Sequence, residues 1–174
     1  MDSQDILYSK GKNDECLTPA YAVTPILKYI KPGWTVWCPF DTENSQFCRK
    51  IARTNPVIHS HISMGLDFLT CTPPEKFDCI ISNPPFTNKR AFFERVLSFG
   101  KPFALLMSNT WLNDKYSKWV FYEAGRQMQL LMFDKRIEFL QDDGKRKGKI
   151  TFSSSYFCCD MLPRDIVIEE LEVE

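Results

Sequence analysis

Phe77-Asp78-Cys79-Ile80-Ile81-Ser82-Asn83-Pro84-Pro85-Phe86 is a nearly continuous apolar run closed by a polar amide and two prolines. An apolar run without alternation suits a strand buried on both faces, in the middle of a parallel sheet. Pro84 and Pro85 fix φ and remove two donors, so the strand stops there and the loop beyond it is stiff. Ligands of open α/β sheets bind outside the carboxyl ends of such strands, which makes Asn83, Pro84, Pro85 and Phe86 a candidate site.

Those residue types suit one kind of chemistry. An amino group conjugated to an aromatic ring is a poor nucleophile because its lone pair is shared with the ring. Alkylation leaves positive charge on that nitrogen. Two acceptors aimed at its N–H groups favour the tetrahedral form and stabilise the charge as it develops. Asn83 offers a side-chain oxygen and Pro84 a carbonyl, while Phe86 offers a ring on which a base stacks. The plainer alternative is an ordinary turn with an aromatic packed on proline.

Outward from this segment, strand and helix patterns alternate from Gly33 onward, as in an α/β layer with a mostly parallel sheet. Strands are expected at 34–38, 56–62, 77–82, 102–108 and 130–133, and helices at 43–53, 89–99 and 117–129. Thr18-Pro19 opens a helical stretch to residue 30, which Pro25 is expected to kink or to delay. Segments 136–140 and 150–159 are expected to form a C-terminal antiparallel pair joined by the basic loop 142–149. The 174 residues suit one domain, with 1–13 flexible and 165–174 an acidic tail.

Composition narrows the class. The chain is 44% hydrophobic with 14 Phe, 6 Tyr and 4 Trp, which excludes a disordered polymer. No apolar run reaches the roughly 20 residues of a membrane span, and the polar start lacks the pattern of a secretory signal. A cytoplasmic protein without membrane contact is therefore expected. Seven cysteines without a Cys-x-x-Cys pair read as reduced, buried thiols. His59 and His61 have no cysteine at zinc-ligand spacing, so no metal is expected. The 22 basic and 22 acidic side chains cancel, so any grip on a polyanion must be local. Lys145, Arg146, Lys147 and Lys149 supply such a patch.

The run 77–86 resembles the catalytic segment of amino-methyltransferases, in which an Asp near the strand start precedes apolar residues and an Asn-Pro-Pro-Phe signature. The resemblance extends over residues 14–162 and is strongest to N6-adenine DNA methyltransferases, in particular a small phage-type subgroup with a Pro-Phe-Asp loop. It implies a Rossmann-like class I S-adenosylmethionine-dependent methyltransferase fold, with S-adenosylmethionine as cofactor and adenine N6 in DNA as the methylated atom. Methylation of RNA adenine or protein glutamine by the same four residues is an alternative. A degenerate fold that binds cofactor or nucleic acid without turnover is a third reading.

In that family Thr18-Pro19, within Asp14-Glu15-Cys16-Leu17-Thr18-Pro19, would lie beside the methionine end of the cofactor. Pro39, Phe40 and Asp41 sit where the family has its first-strand loop. Cys38 stands in place of the usual acid, and 41–45 replaces a glycine-rich turn. Asp41 would take the cofactor's ammonium, and Ser45 would cap the following helix. His61 would meet the ribose, with packing as its alternative. Asp67 would accept from the adenine amino group and Phe68 would lie near its ring, with a turn cap as the alternative for Asp67.

On the substrate side, Lys89 and Arg90 would meet phosphate, or simply begin a solvated helix. Segment 152–157 resembles the part of the family whose aromatic holds the flipped base, which nominates Tyr156. Strand alternation keeps Tyr156 and Phe157 from facing one pocket together, and both are equally readable as core. The chain has no sizeable recognition module. That economy fits weak sequence preference, a structured substrate, a homo-oligomer or a separate specificity partner.

Overall fold

The computed structural model describes residues 17–141, 144–145 and 152–173. Seven strands form one sheet in the order β2-β1-β3-β4-β6-β5-β7. They are β1 (Val36–Cys38), β2 (Val57–His59), β3 (Cys79–Ser82), β4 (Phe103–Ser108), β5 (Gln129–Phe133), β6 (Ser154–Cys159) and β7 (Ile166–Glu169). The helices are α1 (Ala20–Leu27), α2 (Gln46–Ile51), α3 (Lys89–Ser98) and α4 (Lys115–Glu123). Pairing is parallel from β2 through β1 and β3 to β4. β6 runs antiparallel between β4 and β5, and β7 is parallel to β5. This is the mostly parallel sheet with a late antiparallel strand that the sequence implies.

β3 lies mid-sheet because every one of its four side chains is buried. Cys79 and Ile81 face the core under α1 and α2, and Ile80 faces the core under α3 and α4. Asp78 pins the start of the strand, its carboxylate accepting from the Thr35 N–H at 2.8 Å. On one face Ala22, Val23 and Ile26 of α1 pack with Phe47 and Ile51 of α2. On the other, Phe92, Phe93 and Val96 of α3 meet Val120 and Phe121 of α4 around Trp111. Ser45 starts α2 by accepting from the Cys48 N–H, and Asp114 starts α4 by accepting from the Tyr116 N–H. Among the described residues no helix is long and apolar enough to cross a membrane.

Four expectations are corrected. Pro25 does not delay α1, which begins directly after Pro19 and carries Pro25 inside it. The burial of Ala22, Val23 and Ile26 outweighs the one backbone donor that Pro25 removes. The segment 136–140 does not pair with β6 among the described residues. Leu140 instead exchanges two hydrogen bonds with Leu17, at 2.9 and 3.0 Å. The fourth helix starts and stops earlier than its apolar spacing suggests, because Asp114 caps it and Gly125 leaves it at φ 62°. Finally, the acidic end of the chain is not all tail. Ile166-Val167-Ile168-Glu169 adds a strand to the sheet edge, with Leu171 buried behind it. Residues 1–13, Asp14 to Cys16, and Arg146, Lys147 and Lys149 of the basic loop, for which the sequence carries expectations, lie outside the described residues.

Candidate active site

Because β1 and β3 are parallel neighbours, their carboxyl ends deliver the Pro39-Phe40-Asp41 loop and the Asn83-Pro84-Pro85-Phe86 loop side by side. Ser82 joins them. Its hydroxyl accepts from the Phe40 N–H at 3.2 Å and donates to the Asp41 carboxylate. The Asp41 N–H is held by the Ser60 carbonyl at the end of β2, at 3.2 Å. Asp41 is only 8% exposed, and burial pushes its carboxyl up to about 6 against the lowering influence of the Ser82 and Ser45 hydroxyls. Pro39 is buried beneath this loop.

Asn83 follows Ile81 in the alternation of β3, so it emerges on the face that α1 covers. There its Nδ2 donates to Thr18 Oγ1 at 3.0 Å, which orients the amide. Thr18 and Pro19 are buried just ahead of α1, so the residue that aims Asn83 is itself fixed. Phe86 packs edge-on against Phe139 and Phe152, with ring centroids 6.0 and 5.2 Å away. The loop then turns through Asn88 at φ 56°, a left-handed conformation that Asn tolerates, and launches α3.

Several other candidates lie elsewhere. Tyr156 is fully buried, and its hydroxyl donates to the Ala22 carbonyl of α1 at 2.8 Å. It is core rather than site, because α1 covers β6 at that level; Phe157 is buried on the opposite face. We expect Tyr156→Phe to cost about 1 kcal/mol in urea unfolding, the net worth of one buried hydrogen bond, with no change in any catalytic rate. A rate loss beyond the stability loss would return Tyr156 to the site. Phe68 is 2% exposed and enclosed by Trp37, Phe40 and Phe92, so its ring is also core.

Asp67 caps its own turn, its carboxylate accepting from the Leu69 N–H at 2.9 Å. His61 lies past the end of β2, where its Nδ1 accepts from the Ser63 N–H at the start of a short 3-10 turn. It therefore does not share a strand face with His59. Lys89 reaches toward Thr110 Oγ1 at 3.4 Å, while Arg90 is turned away along α3, bound to Glu94 at 2.6 Å and lying 4.4 Å over the Tyr116 ring. Lys145 is exposed.

Three residues near the site were missed. Ser82 directly precedes the signature and carries the link to Asp41. Phe152 is the aromatic that meets Phe86, and it shares the strand parity of Tyr156. Ser154 is 4% exposed with an unpartnered hydroxyl, opposite Ser108 in the β4–β6 register. Its position two residues before Tyr156 puts it on the Asn83 side of the sheet.

Neither a protein-family profile nor a curated protein sequence matches the chain. Solved structures do. One assigned as the modification subunit of a type I restriction enzyme from Vibrio vulnificus YJ016 is 12% identical with a TM-score of 0.55, over 98% of this chain and 50% of that one. The 23S rRNA methyltransferase ErmE is also 12% identical, at 0.55, over 87% and 71% of the two chains. A third, assigned as a class I S-adenosylmethionine-dependent methyltransferase of Listeria monocytogenes, is 11% identical at 0.55, over 90% and 66%. The chain thus spans half the length of the first and about two thirds of the others. Likeness at this identity defines the fold: the sheet is that of the Rossmann-like class I methyltransferases.

Proposed function

We propose that this chain transfers a methyl group from S-adenosylmethionine to an amino nitrogen in nucleic acid, and specifically to N6 of adenine in DNA. The observation that carries the reading is the joined pair of loops. Asn83 is aimed by Thr18 at one end, and Ser82 beside it is bonded to the buried Asp41 at the other. An amine-gripping group and an ammonium-gripping group thus sit on adjacent strand ends, where ligands of such sheets bind.

The residues present fit the cofactor. Asp41 is a buried carboxylate between two hydroxyls, with no basic side chain among the groups that shift it. A buried anion in that setting suits a ligand ammonium. S-adenosylmethionine supplies an electrophilic methyl group on a sulfonium. The chain's own residues do the rest. Asn83 Oδ1 and the Pro84 carbonyl would accept from the amine, hold it tetrahedral and stabilise the charge it gains. Phe86, braced by Phe139 and Phe152, would stack on the ring that bears the amine. Pro39, Phe40, Ser45, His61 and Asp67 remain candidates for the cofactor side. Lys89, Lys145, Arg146, Lys147 and Lys149 remain candidates for phosphate.

Two of the similar structures support nucleic acid as the substrate by what they are: a restriction-modification subunit and an rRNA methyltransferase. The second of these also favours RNA as the next substrate to test. The deciding experiment incubates the chain with radiolabelled S-adenosylmethionine and single-stranded DNA, duplex DNA, RNA or a glutamine-bearing protein. Label in N6-methyladenine of DNA is expected. Label confined to RNA or protein would move the substrate. Calorimetry that detects no cofactor binding would leave only a scaffold role.

A further inference from the structure

Beside α3 on the same face of the sheet, α4 presents two exposed rings. Trp119 is 56% exposed and Tyr122 77%, and the two meet edge to face at 5.8 Å. Their inner neighbours Val120 and Phe121 anchor the helix in the core, so the exposed rings stand on a rigid base. Beside them is a shallow cavity of about 320 Å3 lined by Arg90, Tyr116, Trp119, Val120 and Glu123. The Tyr116 ring at its edge has the Arg90 guanidinium at 4.4 Å and the Lys115 ammonium at 4.7 Å.

The charge around these rings carries a small cationic surplus. Lys89, Arg90, Lys115 and Lys118 stand with Asp114, Glu94 and Glu123; Glu94 is committed to Arg90 and the Asp114 carboxylate accepts from the Tyr116 N–H, while Lys118 is exposed beside Trp119. This surface is also continuous with the candidate active site. Lys89 lies three residues past Phe86, and its ammonium reaches Thr110, whose hydroxyl is 2.9 Å from Ser108 at the carboxyl end of β4. Exposed rings interleaved with surplus cations are what a single strand of nucleic acid requires: faces for its bases and positive charge for its phosphates. A protein partner would use the rings without needing the cations.

We propose that this face of α4 is a binding site for the single strand flanking the methylated nucleotide. Its bases stack on Trp119 and Tyr122, and its phosphates lie at Lys115 and Lys118. The assignment rests on nucleic acid being the substrate, and it goes beyond that reading by saying where the neighbouring nucleotides lie.

The test measures binding of a fluorescently labelled oligothymidylate, which contains no adenine to methylate, to the whole chain and to two variants. The variant Trp119→Ala with Tyr122→Ala is expected to bind about 10- to 100-fold more weakly, the loss that follows from removing a stacked base. Ile168→Ala, which removes an equally exposed apolar side chain on β7 at the sheet edge, is expected to bind like the parent. Both rings are solvent-exposed, so circular dichroism melts of the double variant should match the parent. Equal oligothymidylate affinity in parent and double variant overturns the site, as does absence of binding in the parent. If the double variant instead loses concentration-dependent self-association in sedimentation, with oligonucleotide affinity unchanged, the face joins copies of the chain and the proposal is overturned. The radiolabel experiment above reports separately on methyl transfer, so failure of this surface and failure of the enzymatic reading are distinguishable.

Discussion

Replacing Asn83 with alanine is expected to slow methyl transfer by about 10²- to 10³-fold or more, the usual loss when one preorganised polar group at a reacting centre is removed. The orientation of the amide is fixed from outside the loop, through Thr18 at 3.0 Å. Truncation to alanine removes the acceptor for the amine and leaves the two prolines to hold the loop. Affinity for S-adenosylmethionine and the thermal midpoint should change little, because Asp41 and the strand pairing are untouched. Single-turnover kinetics with saturating cofactor would measure the effect. Turnover at the parent rate would remove Asn83 from the chemistry.

A second large effect belongs to Asp41. Its carboxyl is held up at about 6 by burial, so around that pH it is only half ionised. An ammonium ligand requires the ionised form. Affinity for S-adenosylmethionine is therefore expected to rise as pH climbs through about 6 and to level off above about 7, falling about tenfold per pH unit below the midpoint. Stability runs the other way. A carboxyl whose folded pKa lies above its unfolded value adds stability at low pH, and that contribution is lost as pH rises through about 6. The unliganded chain should give up part of its stability over the same window in which it gains affinity. Asp41→Asn should abolish both trends and weaken cofactor binding by about 2–5 kcal/mol, the cost of leaving a charged partner unpaired. Calorimetric titrations across pH 5 to 8, paired with urea unfolding, would check this; an affinity flat across the window would exclude Asp41 as the ammonium's partner.

The parts of the fold that were legible in the sequence are those fixed by local pattern. Residues 77–82 are apolar without alternation, and β3 is buried on both faces in mid-sheet. The prolines that halt it do lie at the carboxyl edge. Ser45 was identifiable as a cap because a short hydroxyl before an amphipathic run has one favoured use. What was not legible is set by distant contacts. The insertion of β6 between β4 and β5 brings residue 156 against 106 and 131, a pairing no adjacent sequence announces. β7 was hidden by Glu169, Glu170 and Glu172, although Glu169 is used by the Lys28 ammonium at 2.5 Å and the Tyr29 hydroxyl at 2.6 Å.

The candidate site shows the same division. Alternation put Tyr156 and Phe157 on opposite faces of β6, as found. It could not say how far along the strand the cover of α1 extends. That boundary puts Tyr156 under the helix, bonded to Ala22, and leaves Phe152 to meet Phe86. The aromatic beside the signature is thus four residues earlier than the one the sequence nominated. Phe68, next to the turn-capping Asp67, has a core available on one side and packs into it.

The two hydrogen bonds between Leu17 and Leu140 make a clasp across the mouth of the fold. One jaw carries Thr18, the residue that steers Asn83. The clasp thus fixes the backbone one residue from the steering hydroxyl, so loosening Leu140 would loosen the aim of the Asn83 amide.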